Sequence, residues 1–326
     1  MADADIPVAE ALRLVEPARR IIVTAHVSPD GDASGSSLAL ALMLRALGKE
    51  VRLAIPMDDL GAPGVLPRFA DFRQTGPLEE PDLLVCLDSA TRARIAIPEL
   101  RDKAGVWPTL NIDHHATNEL YGHVNIVRGD YSSTGELIYD FALAAGWKID
   151  RDVAEALWVA IVTDTGRFSY SSTQPSTLRC AADLLSRGVR AAWLNDELFC
   201  MEDAKILEIR RRALDSLEKW FDGKVAVISL TAEDYTETGC TKSCTETFAD
   251  IPRSVRGTVF AIFIYRLPGD DKTHFSIRSR EPYSACDLAK EFGGGGHILA
   301  AGATSDLSIP AAKAALRQAL ELKLKG

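Results

Sequence analysis

The chain carries, at residues 20–32, the stretch Arg20-Ile21-Ile22-Val23-Thr24-Ala25-His26-Val27-Ser28-Pro29-Asp30-Gly31-Asp32. Its first half is an apolar run of the kind that forms a buried strand, and Pro29 and Gly31 then shape a tight turn. A helical pattern rich in small and apolar residues follows over Ser34–Leu47, and Gly48 lies just past its end. A strand, a loop and a helix in this order form the unit from which parallel sheets are built. The stretch therefore predicts an α/β fold whose first loop carries an imidazole and two carboxylates.

Three further apolar runs also end at acidic or imidazole side chains. They are Leu83–Leu87 before Asp88, Thr109–Ile112 before Asp113-His114-His115, and Leu157–Thr163 before Asp164. Another β-like run, Val51–Ile55, adds a strand to the predicted sheet. Ligand sites in open α/β sheets form beyond the carboxyl ends of the strands. We therefore expect these polar groups to lie together at one edge of the sheet.

Length and pattern predict two domains. The chain has 326 residues, and strands alternate with helical patterns until the pattern changes near residue 222. The predicted boundaries are 1–195 for a mainly parallel sheet flanked by helices, 196–221 for a helical linker and 222–326 for a smaller α/β domain. An amphipathic helix over Asp203–Trp220 would form most of the linker. Later strands are expected at Lys224–Leu230, Thr258–Tyr265 and Thr273–Ser279, with a closing helix from about Pro310.

The overall charge limits the kinds of partner. Asp and Glu outnumber Lys and Arg by 46 to 37, which gives a net charge of −9. This composition argues against binding to long duplex nucleic acid, which needs a broad basic surface. Short anionic substrates remain compatible with it, because bound cations reverse the sign of the field locally.

The first loop has the ligand pattern HxxxDxD, made by His26, Asp30 and Asp32. One such aspartate by itself is most simply a helix N-cap. Together with the other clusters, however, seven or eight such groups would repel one another strongly in the absence of cations. Carboxylate and imidazole suit divalent Mn, Fe, Zn or Mg, and this many ligands would hold two ions. Asp88 is suited to bridge them at roughly 3.5–4 Å, which points to hydrolysis of phosphoryl esters.

Asp113, His114 and His115 offer more groups than one ion needs. Adjacent side chains on an extended segment point to opposite faces, so the two histidines should have different roles. One of them would ligate a metal, and the other would face the substrate or a neighbouring acid. Asp113 is a candidate for orienting an imidazole, which is a usual task of a carboxylate behind a metal ligand.

Two other polar or aromatic segments have alternative interpretations. Ser133 and Glu136 have the spacing of a capping box, which predicts a helix start; the alternative is that Ser132 and Ser133 line the site. Phe168 and Tyr170 follow the last acidic cluster. An aromatic side chain there either stacks on a nucleotide base or, as for Phe168, packs in the core.

The cysteines and the absence of apolar spans predict a cytoplasmic protein that does not bind membranes. Six cysteines form no CxxC pair, and Cys240 and Cys244 lack the additional His or Cys residues of a zinc site. The role of these two residues stays open, and free thiols fit a reducing cytosol. The N-terminal segment has no apolar core of a signal peptide, and no apolar run approaches the roughly 18 residues of a membrane span.

These motifs, in this order, resemble the four motifs of the DHH phosphoesterases, and Gly293–Gly302 resembles the glycine-rich signature of their DHH-associated C-terminal domain. The resemblance covers roughly residues 15–310. Within the family, the chain is most similar to the compact two-domain nanoRNA phosphodiesterases that also remove a phosphate from phosphoadenosine phosphate. Residues 1–195 would then be the metal-binding catalytic domain, and residues 222–326 the substrate-binding domain.

The resemblance also implies a role for each ligand. It implies two ions, expected to be Mn, with His26, Asp30 and Asp88 on one and Asp32, Asp88, His114 and Asp164 on the other. His115 and Asp113 would be the catalytic pair, with His115 facing the substrate phosphate and helping the leaving oxygen.

Substrate-binding residues are expected in the second domain. Arg278 and Arg280 alternate along a predicted strand and share a face, and a guanidinium suits phosphate. A solvated strand face is the alternative, mainly for Arg280; the resemblance favours Arg278 as the arginine offered to the substrate. Backbone N–H groups in a glycine-rich turn can approach an anion. The remaining candidates are Gly294, Gly295, Gly296 and His297.

The activity that the resemblance implies is hydrolysis of short oligoribonucleotides to mononucleotides, with dephosphorylation of phosphoadenosine phosphate at the same centre. Two alternatives stay open: a phosphodiesterase for cyclic or linear diadenylate, and an inorganic pyrophosphatase or exopolyphosphatase of the same superfamily. A nucleotide sensor without catalysis is disfavoured, because such a protein is expected to lose metal ligands. Many members of the family dimerise, and the sequence contains no diagnostic interface for a homodimer.

Overall fold

The computed structural model describes residues 6–56, 62–72 and 76–324. The chain divides into two compact units, Met1–Met201 and Glu202–Gly326. The strands of the first unit are β1 (Arg20–Thr24), β2 (Glu50–Ala54), β3 (Leu83–Leu87), β4 (Thr109–Asp113) and β5 (Val124–Val127). Its helices are α1 (Val8–Val15), α2 (Gly31–Ala46), α3 (Pro98–Arg101), α4 (Thr134–Ala144), α5 (Arg151–Asp164), α6 (Pro175–Ser186) and α7 (Ala191–Phe199).

The five strands form one parallel sheet in the order β2-β1-β3-β4-β5. Every residue of β3 and β4 is buried, because the sheet is covered on both faces. The predicted mainly parallel α/β architecture is confirmed. The strand order reverses between β1 and β3, and ligands of such sheets bind beyond the carboxyl ends of the strands at this switch point.

The apolar run before Asp164 is the interior of a helix and not a strand. Leu157–Thr163 belongs to α5, whose N-cap Asp150 accepts a hydrogen bond from the Val153 N–H at 3.1 Å. A short apolar run does not distinguish a buried helix from a buried strand. The apolar run before Asp164 is thus helical, whereas the other three polar clusters follow strands.

Packing of α5 against α2 brings Asp164 to the sheet edge despite this difference. A Cβ atom at Gly31 would lie 2.2 Å from Thr163 Oγ1, and one at Gly35 would lie 2.4 Å from the Ala156 carbonyl oxygen. The two glycines therefore permit a close approach of the helices, with the start of α2 beside the end of α5. Asp164 consequently lies next to the loop of the first motif.

The second unit is built on a mixed sheet. Its strands are β6 (Glu218–Trp220), β7 (Val225–Leu230), β8 (Phe260–Tyr265), β9 (Thr273–Ser279), β10 (Gly295–His297) and β11 (Ala300–Ser305). Its helices are α8 (Ala204–Asp215), α9 (Ala232–Thr238), α10 (Asp250–Arg253), α11 (Ala285–Lys290) and α12 (Ile309–Leu324). The strand order is β10-β11-β9-β8-β7-β6, and only the β7–β8 pair is parallel among the described strands.

The segment predicted as a linker helix folds differently at its end. Helix α8 stops at Asp215, and Trp220 lies in β6, where it pairs with Val225. Sheet pairing outweighs the helical spacing at Trp220, because strand β7 offers it a hydrogen-bonded partner. Ile209 and Ala213 of α8 are buried in an apolar cluster with Ile228 and Phe263 of the second unit. Helix α8 thus packs as part of that unit.

Candidate metal centre and substrate-binding residues

Three neighbouring strands deliver the first polar clusters to one sheet edge. His26 follows β1, Asp88 follows β3, and Asp113 ends β4. Because β1, β3 and β4 are adjacent and parallel, their carboxyl ends lie together. Asp164 joins them from the end of α5, and Asp30 and Asp32 from the start of α2.

Asp88 lies at the centre of the cluster and is only 2% exposed. One carboxylate oxygen, Oδ2, is 3.5 Å from His26 Nε2, and the other, Oδ1, is 3.6 Å from His114 Nε2. The backbone of Asp88 has a φ of 50°, a left-handed conformation that costs a non-glycine residue of order 1–3 kcal/mol. The two oxygens of one carboxylate thus face two different imidazoles, as in a group that bridges two cations.

The six predicted metal ligands fall into two of three groups whose donor atoms lie within 4.8 Å of one another; the third group is Asp88, His114 and His115. The first group is His26, Asp30 and Asp88. The second is Asp32, His114 and Asp164, with His114 Nε2 3.5 Å from Asp164 Oδ2 and 3.8 Å from Asp32 Oδ2. Asp30 is also the N-cap of α2, since its Oδ1 accepts the Ala33 N–H at 3.0 Å. The capping and ligand interpretations of Asp30 are therefore compatible.

The electrostatics of the cluster fit a cation site. Burial, followed by the charges of Asp88, Asp164 and Asp30, raises the pKa of Asp32 well above its ordinary value. Burial also raises the pKa of Asp164 to about 6; His114 opposes this shift and Asp88 adds to it. Burial alone would lower the pKa of His26, but Asp30 and Asp88 outweigh it and raise that pKa to about 10. Excess negative charge held by carboxylate and imidazole donors is what divalent cations such as Mn or Mg neutralise.

His114 and His115 occupy different environments. The side chain of His114 is 16% exposed and faces Asp32, Asp88 and Asp164, whereas that of His115 is 46% exposed. His115 Nδ1 lies 2.7 Å from Asp113 Oδ1. This hydrogen bond raises the pKa of His115, with burial opposing it. The arrangement matches the prediction that Asp113 orients an imidazole, and it turns Nε2 of His115 away from Asp113.

Asn118 extends this contact and has no recognisable signal in the sequence. Its Nδ2 donates to Asp113 Oδ2 at 2.6 Å, and its Oδ1 accepts from Asn111 Nδ2 at 2.8 Å. Asp113 is fully buried, and burial would raise its pKa; hydrogen bonds from His115 and Asn118 outweigh burial and lower it. Two linked amides, Asn111 and the partly buried Asn118, therefore hold the carboxylate that binds His115.

Thr134 is a second residue that sequence reasoning missed. Its backbone N–H donates to Asp32 Oδ2 at 2.7 Å, and its hydroxyl donates to Asp88 Oδ1 at 3.0 Å. The Gly135 N–H adds a bond of 2.9 Å to Asp32 Oδ1. The predicted helix start is confirmed, because the Ser133 hydroxyl accepts the Glu136 N–H. The Glu136 carboxylate binds Ser132, so the capping segment aims Thr134, rather than the two serines, at the ligands.

Arg278 and His297 lie on one face of the second unit's sheet. Arg278 on β9 pairs with Ala300 on β11, and Ala300 pairs with His297 on β10. Paired residues point to the same face, and two strand spacings separate them by about 10 Å. Arg278 Nη1 donates to Ser276 Oγ at 3.3 Å, and His297 is exposed. The structure thus brings these two predicted substrate-binding residues together, whereas Arg280 lies beyond β9.

The predicted glycine-rich turn is part of a hairpin. A Cβ atom at Gly294 would lie 2.1 Å from the Gly302 carbonyl oxygen, and one at Gly296 would lie 2.7 Å from that of Ala300. Both glycines therefore have a packing requirement. At Gly295 a Cβ would meet nothing within 4 Å, so this position is the most open of the three to a ligand.

Cys240 and Cys244 lie in the second unit and are free thiols. Cys240 is buried, and its Sγ donates to the Lys205 carbonyl oxygen at 3.4 Å. Neither cysteine belongs to a group of metal-ligating side chains in the described part of the chain.

A parallel sheet with an Asp/His cluster at its switch point defines the class: an α/β protein whose side chains could hold metal ions. Residues 20–161 match the DHH family, N-terminal domain, and residues 222–325 match the DHHA1 domain. The chain belongs to the DHH family.

Two curated relatives align over most of their length. One, the bifunctional oligoribonuclease and PAP phosphatase NrnA of Thermus thermophilus, is 34% identical over 91% of this chain and 87% of its own. The protein of the same name from Bacillus subtilis is 27% identical over 90% of this chain and 92% of its own. A solved structure, described as an exopolyphosphatase-related protein from Bacteroides fragilis, has a TM-score of 0.83, is 27% identical and covers 98% of both chains. The predicted family resemblance is confirmed.

Proposed function

We propose that this chain is a metal-dependent phosphodiesterase that hydrolyses short oligoribonucleotides to mononucleotides and dephosphorylates phosphoadenosine phosphate. The position of Asp88, with one oxygen toward His26 and the other toward His114, is the observation that carries the proposal. The substrate class is supported by the names of the relatives from Thermus thermophilus and Bacillus subtilis, which align over both units.

The cofactors in this proposal are two divalent cations, with Mn expected. Asp88 would be shared, His26 and Asp30 would complete one ligand set, and Asp32, His114 and Asp164 would complete the other. Bound cations would supply activation of water and neutralisation of phosphate charge. Thr134 and Gly135 hold Asp32 in place through their N–H groups, so the ligands are positioned before a cation arrives.

His115 would serve the leaving oxygen. Its Nδ1 is committed to Asp113, so Nε2 is the nitrogen that is free to donate to a phosphate or leaving group. Asn118 and Asp113 prevent rotation of the imidazole, which keeps this donor aimed in one direction. Asp113 therefore positions the catalytic side chain and does not itself touch the substrate.

The second unit would bind the terminal nucleotide. Arg278 carries a planar set of donors suited to phosphate, and His297 lies on the same sheet face. Gly295 offers backbone without a side chain next to them. An inorganic pyrophosphatase or an exopolyphosphatase would not need such a surface.

The alternative that an observation favours is polyphosphate hydrolysis, because the structurally similar Bacteroides fragilis protein is described as exopolyphosphatase-related. A diadenylate phosphodiesterase would use the same metal centre and the same nucleotide surface. Substrate preference separates these possibilities.

The experiment is product formation by purified protein with Mn on five substrates: a 5′-phosphorylated RNA dimer, a long RNA, phosphoadenosine phosphate, cyclic diadenylate and pyrophosphate. Preference for the dimer and phosphoadenosine phosphate supports the proposal. Preference for pyrophosphate or cyclic diadenylate keeps the metal centre but contradicts the substrate class. Turnover that is unaffected by a chelator contradicts the metal centre itself.

Two further features concern the protein's surroundings. No helix in the described residues is long and apolar enough to span a bilayer. All six cysteines are free thiols, which supports a reducing compartment such as the cytoplasm. Light scattering of the purified protein tests whether it forms the homodimer that the resemblance allows.

A further inference from the structure

The loop that follows Asp164 presents one tyrosine to solvent. Gly166, Arg167 and Phe168 have φ values of 54°, 61° and 62°, so three consecutive residues adopt the left-handed conformation. For the two non-glycine residues this backbone is costly and must be held by its surroundings. The Phe168 ring packs edge-on against Trp158 with 5.9 Å between centroids. Phe168 thus packs at the edge of the core and anchors the turn.

The turn folds the chain back onto Thr165 and Gly166. The N–H groups of Ser169 and Tyr170 both donate to the Thr165 carbonyl oxygen, at 2.9 and 3.0 Å. A Cβ atom at Gly166 would lie 2.4–2.6 Å from three atoms of the Tyr170 ring. The ring therefore rests on the backbone of Gly166, two residues after the ligand Asp164, and only glycine leaves room for it.

Packing in the first unit does not explain why this residue is a tyrosine. Tyr121, Tyr131 and Tyr139 each donate their hydroxyl to an oxygen of the same unit. Tyr170 is 62% exposed, and its hydroxyl has no hydrogen bond within the described residues. An exposed ring seated on a rigid turn loses little conformational entropy when a flat apolar ligand covers it.

We propose that Tyr170 is a stacking platform for the base of the nucleotide whose phosphate lies at the metal centre. Every nucleobase has a π-face, so stacking on a tyrosine selects nucleotides over pyrophosphate without selecting a base sequence. The inference deepens the proposed function and rests on it. Tyr170 would then determine specificity, and it lies on the loop that directly follows the candidate metal ligand Asp164.

The test compares substrates with and without a base. Tyr170→Ala and Tyr170→Phe are assayed with phosphoadenosine phosphate and with its abasic analogue, in which hydrogen replaces adenine. We expect Tyr170→Ala to lower kcat/KM for the nucleotide between about fivefold and a hundredfold, mainly through KM, because stacking contributes about that much per base. Tyr170→Phe should retain wild-type values, and the abasic analogue should be hydrolysed equally by all variants. Leu178→Ala, which alters another exposed side chain of the same unit, is the matched control.

A binding measurement without turnover completes the test. A nucleoside monophosphate carrying fluorescent aminopurine, which is a product and is not turned over, should be quenched on binding to Mg-loaded wild-type protein, and less so by Tyr170→Ala. The stacking role is overturned if Tyr170→Ala lowers kcat/KM equally for the nucleotide and for the abasic analogue, or if quenching in Tyr170→Ala equals that in wild type. Wild-type protein that hydrolyses neither oligonucleotide nor phosphoadenosine phosphate contradicts the proposed function instead, and quenching then decides the stacking role alone.

Discussion

At the scale of single residues, two atoms of the same side chain have different partners in the candidate site. Asp88 divides its two oxygens between His26 and His114, and His115 divides its two nitrogens between Asp113 and the solvent side. Uncharged donors hold the carboxylates of the site: the Thr134 N–H binds Asp32, its hydroxyl binds Asp88, and the Asn118 amide binds Asp113. Such donors orient a carboxylate without competing with a cation for its charge.

Asp88→Ala should abolish turnover. The variant removes the carboxylate that faces both His26 and His114, so we expect Mn content to fall toward zero and activity to fall by at least about a thousandfold. Elemental analysis after gel filtration and an assay on the RNA dimer measure the two effects. Asp287→Ala, which alters an exposed side chain of α11 in the second unit, is the control. An Asp88→Ala enzyme with full activity would contradict the bridging assignment.

Thr134→Val should weaken metal binding while the fold is kept. Valine preserves shape and the N–H bond to Asp32 but removes the hydroxyl that donates to Asp88 at 3.0 Å. Loss of a group that orients a ligand typically costs about 10- to 100-fold in metal affinity. Titration calorimetry with Mn measures it, and Thr134→Ser should restore wild-type affinity. Equal affinity in Thr134→Val and wild type would show that the hydroxyl does not position Asp88.

Arg278→Ala should raise KM for nucleotide substrates by roughly tenfold or more, since charge-assisted bonds to phosphate are among the stronger ones. Arg280→Ala is the matched control, because Arg280 lies beyond β9 and its Nη2 is bound to the Arg253 carbonyl oxygen. Steady-state kinetics on phosphoadenosine phosphate separate KM from kcat. The substrate role of Arg278 is contradicted if Arg280→Ala raises KM more than Arg278→Ala does. It is also contradicted if circular dichroism shows that Arg278→Ala is unfolded, because the role of Arg278 would then be structural.

At the scale of elements, helix α5 has two roles. Its last residue is the candidate metal ligand Asp164, and its buried Glu155 accepts bonds from Arg190 Nε and Nη2, both at 2.7 Å. Arg190 is the residue before α7, so this ion pair fixes the start of α7 on α5. Burial would raise the pKa of Glu155, but the bonds from Arg190 outweigh it and lower the pKa.

Glu155→Gln should destabilise the first unit by about 2 kcal/mol at neutral pH, because an amide nitrogen would then face the Arg190 guanidinium. A lowered pKa in the folded state means that the contribution is present above the ordinary glutamate pKa and is lost as pH falls. The stability difference from wild type should therefore shrink below about pH 4.5. Urea denaturation at several pH values measures it, with Asp196→Asn on the exposed side of α7 as control. If the stability difference between Glu155→Gln and wild type grew as the pH fell, the lowered pKa of Glu155 in the folded state would be contradicted.

At the scale of the whole molecule, all predicted metal ligands lie in the first of the two compact units. Ligand binding stabilises the folded state that contains the site, by about 2.7 kcal/mol at a hundredfold excess over Kd. A cation should therefore act on the stability of one unit only.

Mn should raise the Tm of the first unit by roughly 5–10 °C, given its size. A Trp220→Phe variant makes fluorescence report on this unit alone, because the other tryptophans are Trp107, Trp147, Trp158 and Trp193. The shift should disappear when Asp88→Asn is added to that variant. A shift of equal size in the double variant would place the bound Mn elsewhere.

Local patterns predicted much of this architecture. The apolar runs that became β1, β3 and β4 were recognisable because strands of a parallel sheet are buried on both faces and contain few polar residues. The run before Asp164 was not distinguishable from a strand, since a buried helix is just as apolar over seven residues. At Trp220, pairing with β7 outweighed a helical spacing, which is a long-range effect that no local pattern contains.

Sequence patterns were enough to predict the parallel α/β fold of the first unit and the acids and imidazoles that meet at its sheet edge, because the order of strand, loop and helix places successive loops on one side. The atoms that face each other depend on the tertiary structure. Thr134 reaches the site from a helix start and binds Asp88 across 46 positions, whereas Asn118 reaches Asp113 from the turn that follows β4. Contacts of this kind depend on packing geometry at the level of single ångströms, and residue spacing does not encode that geometry.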